Sequence, residues 1–135
     1  FIIENNLSEH IIFTGWRPDV LNIISIMDIL VHPSLSEGFG RAVLEGMALG
    51  KPVIASKVGG LRELIENDKN GFLVDPGSPS QIANKLSILI NNNELRKKFG
   101  QEAKKTVHSN YSIKSKIKNL ECIWSSMVNK NSRSK

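Results

Sequence analysis

The chain has 135 residues, a net charge of +5, 40% hydrophobic residues and 23% charged residues. That balance excludes a disordered or low-complexity protein and suits one domain with a real core. No stretch reaches the apolar length of a membrane span, because Ser25 and Asp28 interrupt the run from Ile23 to Val31.

Strands and helices alternate along the first half. Glu9 to Thr14 reads as a short buried strand ending at Gly15. Pro18 suits a helix start, and Val20, Leu21, Ile24 and Met27 form a helical stripe. Asp28 to His32 reads as a second strand, β-branched at Ile29 and Val31 and stopped by Pro33. A glycine loop follows, then a helix from Arg41 to Leu49 closed by Gly50. Pro52 to Ala55 is a third strand, Leu61 to Glu66 a short helix, 68–71 a turn, and Phe72 to Val74 a fourth strand. Strands separated by helices of this length imply a parallel, doubly wound, Rossmann-like α/β sheet.

Beyond Asp75-Pro76-Gly77 the pattern is helical only. A helix opening at Ser80 is expected to turn Ile82, Leu86, Leu89 and Ile90 inward, and Asn91-Asn92-Asn93 breaks it. Glu94 to His108 follows, with Leu95, Phe99 and Val107 inward. The last helix, Ile113 to Met127, aligns Ile113, Ile117, Leu120, Trp124 and Met127 on one stripe, which reads as core before partner surface. Cys122 in that helix excludes an internal disulfide and reads as a packed thiol. The resulting division is an incomplete Rossmann-like domain over 1–111, a C-terminal helix over 112–128 and a disordered tail over 129–135.

Charge is unevenly placed. Residues 94–135 carry 11 Lys/Arg against 3 Asp/Glu, whereas 1–93 carry 7 against 10. The basic third reads as a solvated helix face, with peripheral membrane contact as the alternative. No aromatic residues interleave with the basic ones, which argues against nucleic acid as a partner.

Glu37 and Glu45 are the most informative pair. They lie eight positions apart in Ser36-Glu37-Gly38-Phe39-Gly40-Arg41-Ala42-Val43-Leu44-Glu45. The stretch reads as an acid, a Gly-x-Gly turn and a helix with a second acid two turns in. Glycines let backbone approach a ligand closely, and a helix start offers N–H donors to phosphate. Carboxylates accept hydrogen bonds from sugar hydroxyls, so donors for diphosphate and acceptors for sugar share one short segment.

Joined to Val31-His32-Pro33-Ser34, to Glu45-Gly46-Met47-Ala48-Leu49-Gly50-Lys51-Pro52, to Val58-Gly59-Gly60-Leu61-Arg62-Glu63 and to Asn70-Gly71-Phe72-Leu73-Val74, this segment resembles the donor-binding half of GT-B glycosyltransferases. The match is to glycosyltransferase family 4, also called group 1, and runs from about Ile11 to Tyr111. The resemblance implies the C-terminal half of a retaining enzyme that uses a nucleotide-diphosphate sugar. It implies that Glu37 contacts the donor sugar and stabilises charge at the anomeric carbon. Gly38, Phe39, Gly40, Arg41 and Ala42 would lay backbone N–H groups against sugar and diphosphate, with no particular role for the Arg41 side chain. Glu45 would accept from the ribose hydroxyls. Gly15, Trp16 and Arg17 would pack near the base, Trp16 either stacking on it or covering the sheet edge. Gly59 and Gly60 would line the sugar pocket or serve as plain turn glycines. In an open α/β sheet, loops at the strands' carboxyl ends form the ligand crevice; here these are 15–17, 34–40, 56–60 and 75–78.

His32 ends a strand and reads as structural, since the resembled enzymes place their catalytic-type histidine in the other domain. No His/Cys/Asp cluster has metal spacing and Asp-x-Asp is missing, so neither metal nor other cofactor is expected. The chain starts at Phe1, in what reads as an element already under way. The expectation is a piece of a longer enzyme, inactive alone. Its acceptor domain, and the Arg and Lys that would meet the diphosphate, would precede Phe1. The glycan or glycolipid acceptor would bind that domain, and the expected location is the cytoplasm or the inner membrane face. The competing readings are another GT-B enzyme such as a nucleotide-sugar epimerase, a stand-alone nucleotide-binding or regulatory module, and a membrane-docking piece.

Overall fold

The computed structural model describes residues 1–131, with side chains through residue 127. In chain order the elements are α1 (Val20–Ile26), β1 (Leu30–His32), α2 (Arg41–Ala48), β2 (Val53–Ser56), α3 (Leu61–Leu64), β3 (Phe72–Val74), α4 (Pro79–Ile90), α5 (Asn93–Asn110) and α6 (Ile113–Asn131). The sheet is parallel, in the order β1-β2-β3. Leu30 aligns with Val53 and Ile54 with Phe72.

β2 is buried along its whole length, so both faces must be apolar, as parallel sheets require. Side chains alternate across a strand. Val53 and Ala55 enter a cluster with Leu30, Val43, Met47, Leu61, Leu64 and Ala103. Ile54 points the other way, to Phe72, Val74, Leu89 and Phe99. Helices thus cover both faces, α2 and α3 on one and α4 on the other, while α5 contributes to both clusters. Each fully buried aliphatic side chain of this kind contributes about 1.5–3 kcal/mol. Asn70 is buried among them and fully used: its Oδ1 accepts from Glu66 N at 2.8 Å, and its Nδ2 donates to Leu64 O and Thr106 Oγ1.

Several expectations are corrected. Residues 9–14 form no strand; Ile12 and Phe13 are more than four-fifths exposed. A strand needs a neighbour for its N–H and C=O groups, and residues 9–14 have none in the sheet, where among the described residues β1 pairs with β2 alone. Boundaries shift by one or two residues at β1, β2 and α3. In α1 only Ile24 is buried, while Val20 and Leu21 are exposed. Ile90 is also exposed, lying one helical step round from the buried Leu89.

The stripe on α6 is not core: Ile113, Ile117, Leu120, Trp124 and Met127 are all half-exposed or more, and Cys122 is exposed. Their spacing puts them on one face, but α2 to α5 already cover both sides of the sheet. The α6 helix extends to Asn131, past the expected end at 128, and the remaining part of the expected tail, 132–135, lies outside the described residues.

Candidate active site

Three of the expected loops come together at the carboxyl ends of the strands. Gly60 N–H donates to Gly38 O at 3.0 Å, and Lys57 N–H to Val74 O at 2.7 Å. Gly77 faces Leu35, since a Cβ built on it would lie 3.8 Å from Leu35 Cδ2. The loops at 34–40, 56–60 and 75–78 therefore form one rim. The loop at 15–17 stands apart. Gly15 takes the positive φ of +62° expected of it, but nothing lies within 4 Å of the Cβ position. Trp16 is 88% exposed, and Arg17 pairs with Asp19 at 2.7 Å.

The glycines at 59 and 60 are required by close approach. A Cβ on Gly60 would sit 2.7 Å from Gly38 O and 3.0 Å from Phe39 Cα, and one on Gly59 would overlap the Glu37 carbonyl. Hence the loop after β2 lies directly against the backbone of 37–39. Ser56, at the head of that loop, is buried with its Oγ unpartnered.

Both oxygens of Glu37 are anchored. Oε2 lies 2.9 Å from His32 Nε2, and Oε1 accepts from Gly38 N at 3.1 Å. The hydrogen bond from His32 is the main reason the Glu37 carboxyl sits below the usual carboxylate value; Gly40 and Gly38 N–H groups add to it, and partial burial opposes it. Ser34 Oγ also lies 2.9 Å from His32 Nε2. Ser34, His32 and Glu37 look like a nucleophile, base and acid. A relay needs the hydroxyl and the acid on opposite ring nitrogens, whereas here both meet Nε2, so the trio is not a hydrolytic triad.

Helix α2 begins directly after this loop. Gly40 is its N-cap at φ +81° and ψ +51°, with no side-chain cap. A Cβ there would collide with Leu61. The first N–H groups of α2 are therefore left without a side-chain acceptor, at the positive end of the helix dipole. Glu45 lies one turn into α2 and is about one-quarter exposed, its Oε1 accepting from Arg41 Nε at 2.8 Å. Arg41 itself is 89% exposed. An exposed i,i+4 pair of this kind contributes roughly 0.3–0.5 kcal/mol, so a ligand hydroxyl can displace it.

The far side of the loop is anchored by contacts that sequence reasoning missed. The Phe39 ring meets Tyr111 edge to face, with centroids 6.1 Å apart. Tyr111 O–H donates to Glu63 O at 3.3 Å, and desolvation by burial raises the Tyr111 phenol pKa. Lys116 Nζ stands 5.0 Å from the Tyr111 ring centroid. A cleft of about 550 Å³ is lined by Phe39, Glu63, Asn110, Tyr111 and Lys116 among others. Only the position of Tyr111, at the end of the matching stretch, hinted at this. Nor was the His32–Glu37 contact foreseen, although a histidine closing a strand five residues before the acid was the available signal.

Among the described residues, no group of three or more His, Cys, Asp or Glu is placed to hold a metal ion. No helix among them is long and apolar enough to cross a membrane.

The sequence pattern of the family described as Glycosyl transferases group 1 matches residues 1–106. An uncharacterized glycosyltransferase of Methanocaldococcus jannaschii is 44% identical over 106 residues, covering 77% of this chain and 30% of that relative. The chain therefore spans about a third of the curated protein it matches. Among solved structures, the C-terminal domain of a group 1 glycosyl transferase (LpcC) from Francisella tularensis superposes with a TM-score of 0.78 at 39% identity, covering 83% of this chain and 59% of that one. Anabaena HepE in complex with UDP superposes with a TM-score of 0.86 at 30% identity, covering 93% of this chain and 35% of that one. HepE has also been solved with UDP-glucose.

Proposed function

This chain belongs to the glycosyl transferases group 1 family, and we propose that it forms the donor-binding part of an enzyme that moves a sugar from a nucleoside-diphosphate sugar to a hydroxyl of a glycan or glycolipid, with retention of configuration. One observation carries this reading: the glycine loop 38–40 leads into an α2 start with no side-chain cap, flanked by an anchored carboxylate at Glu37 and a displaceable one at Glu45. The likeness to HepE, which was solved with UDP and UDP-glucose, supports it.

Each group has one task. The N–H groups at Phe39, Arg41 and Ala42 receive the diphosphate and ease its departure as a leaving group, while those of Gly38 and Gly40 are shared with the Glu37 carboxylate. Glu45 takes the ribose hydroxyls as Arg41 swings away. Glu37 meets the sugar and offsets positive charge growing at the anomeric carbon. Gly59 and Gly60, packed on the 37–39 backbone, close the sugar side, and Gly15, Trp16 and Arg17, which stand apart from this rim, would meet the base by folding toward it. No metal is needed in this scheme, since the helix end and cationic side chains from elsewhere in the parent offset the diphosphate charge. The acceptor binds to another domain of the parent. A lipid-linked acceptor would bring the chain to the cytoplasmic face of a membrane, where Lys114, Lys116 and Lys118 suit anionic headgroups.

The test is steady-state kinetics on the intact parent. Glu45→Gln should weaken donor binding, and Glu37→Gln should mainly lower turnover, each by about 1–3 kcal/mol. Wild-type kinetics in both variants would contradict the assignment. The anomeric configuration of the product, read by proton NMR, decides retention.

A further inference from the structure

We propose that His32 is a positioning residue: it holds the Glu37 carboxylate in the one orientation that tells a nucleotide sugar from the bare nucleotide. This rests on the reading above, in which Glu37 faces the donor sugar.

His32 is the last residue of β1, paired in register with Ala55 of the fully buried β2, so its backbone is rigid. Its side chain is about one-quarter exposed, as is that of Glu37. Glu37, by contrast, stands in a loop, where a glutamate side chain has several torsions to lose. Two contacts remove that freedom, one at each oxygen: His32 Nε2 to Oε2 at 2.9 Å and Gly38 N–H to Oε1 at 3.1 Å. The Gly38 contact joins adjacent residues and moves with the loop, and the Gly40 N–H that also supports the carboxylate belongs to the α2 cap, so the His32 contact is the one that ties the carboxylate to the sheet.

The tautomer follows from the network. An ionised carboxylate only accepts, so Nε2 must carry the proton and donate it to Glu37. Ser34 Oγ, 2.9 Å from the same nitrogen, then meets this N–H as a second acceptor and keeps its own O–H for another partner. The neutral Nε2–H form and the imidazolium make the same contact, so what the position requires is an N–H donor at that reach. A glutamine supplies one; a leucine or a serine does not.

The experiment uses the full 135-residue chain with UDP and UDP-glucose as probes, and carboxyl carbon NMR to follow Glu37 through the acid range. In His32→Leu the Glu37 carboxyl should titrate closer to the ordinary glutamate value. The preference for UDP-glucose over UDP should fall about tenfold, as expected for losing one hydrogen bond to a charged group, while UDP affinity changes little. His32→Gln should restore both, and His32→Ser, too short to reach, should behave as the leucine variant and serve where that variant does not fold. Unchanged titration and unchanged preference in the leucine and serine variants would overturn the proposal. Glu37→Gln separates the two claims. If Glu37→Gln leaves the preference intact while the Glu37 titration still shifts in His32→Leu, Glu37 does not face the sugar and the donor reading fails, yet His32 is confirmed as its anchor.

Discussion

Gly60 donates its N–H to the carbonyl of Gly38 at 3.0 Å, joining the loop after β2 to the loop after β1. The bond is possible only because neither Gly59 nor Gly60 carries a Cβ. This contact sets how close the backbone of 37–39 stands to the second crevice loop of the sheet.

A methyl group at position 60 tests that dependence. Gly60→Ala places a carbon 2.7 Å from Gly38 O and 3.0 Å from Phe39 Cα, all backbone. Backbone yields less readily than side chains, so the expected cost is about 1–3 kcal/mol of stability, typical of overpacking. Urea unfolding measures it, and amide shifts of 37–40 should move. An unchanged midpoint with unchanged shifts would contradict the close packing.

Acid titration probes the Glu37 anchor. Its carboxyl sits below the ordinary value, chiefly because of the hydrogen bond from His32. A depressed carboxyl stabilises the fold above the unfolded-state value, about 4.3 for glutamate, and that contribution is lost as pH falls through the lower folded value. Wild type should therefore exceed Glu37→Gln in stability at neutral pH, and the gap should close on acidification below about pH 4. Urea midpoints at a series of pH values give the gap. A gap constant from neutral to acid would show that the anchor is not formed.

Much of this arrangement was legible in the sequence, for identifiable reasons. β2 and β3 are short apolar runs between turn residues, and α2 opens after Gly-Phe-Gly, so local chemistry was enough to place them. The strand expected at 9–14 failed because apolar β-branched residues state a preference and not a partner, and residues 9–14 pair with no strand of the sheet. Periodicity in α6 gave the stripe correctly but could not say whether the sheet had a free face left to receive it. Glu37 was found from its neighbours in sequence. Its partner His32 was assigned to structure alone, because a hydrogen bond across the end of a strand depends on where the loop turns back. The contact from Tyr111 to Phe39 spans a sequence separation that no local pattern encodes.

The buried Asn70 tests how the turn before β3 is held. Asn70→Ala would strand Glu66 N–H and Leu64 O in a partly closed space, whereas Thr106 Oγ1 keeps its bond to Glu102 O. The expected loss is about 1–3 kcal/mol for each buried group left unsatisfied. Denaturant unfolding should show the full effect in Asn70→Ala and a smaller one in Asn70→Asp, which keeps the acceptor for Glu66. Equal stability of the two variants would show that the donor side of the amide carries the contact.

In the proposed function the N–H groups between Gly38 and Ala42, with Glu45, form a seat for a nucleoside diphosphate. The most direct measurement is an amide NMR titration of this chain with UDP, repeated on Glu45→Gln. The account predicts that the largest shifts fall on residues 38–42 and on Glu45 and its helical neighbours, and that Glu45→Gln weakens the titration by about tenfold. Shifts confined to the basic surface of α5 and α6, or a Glu45→Gln titration identical to wild type, would contradict it.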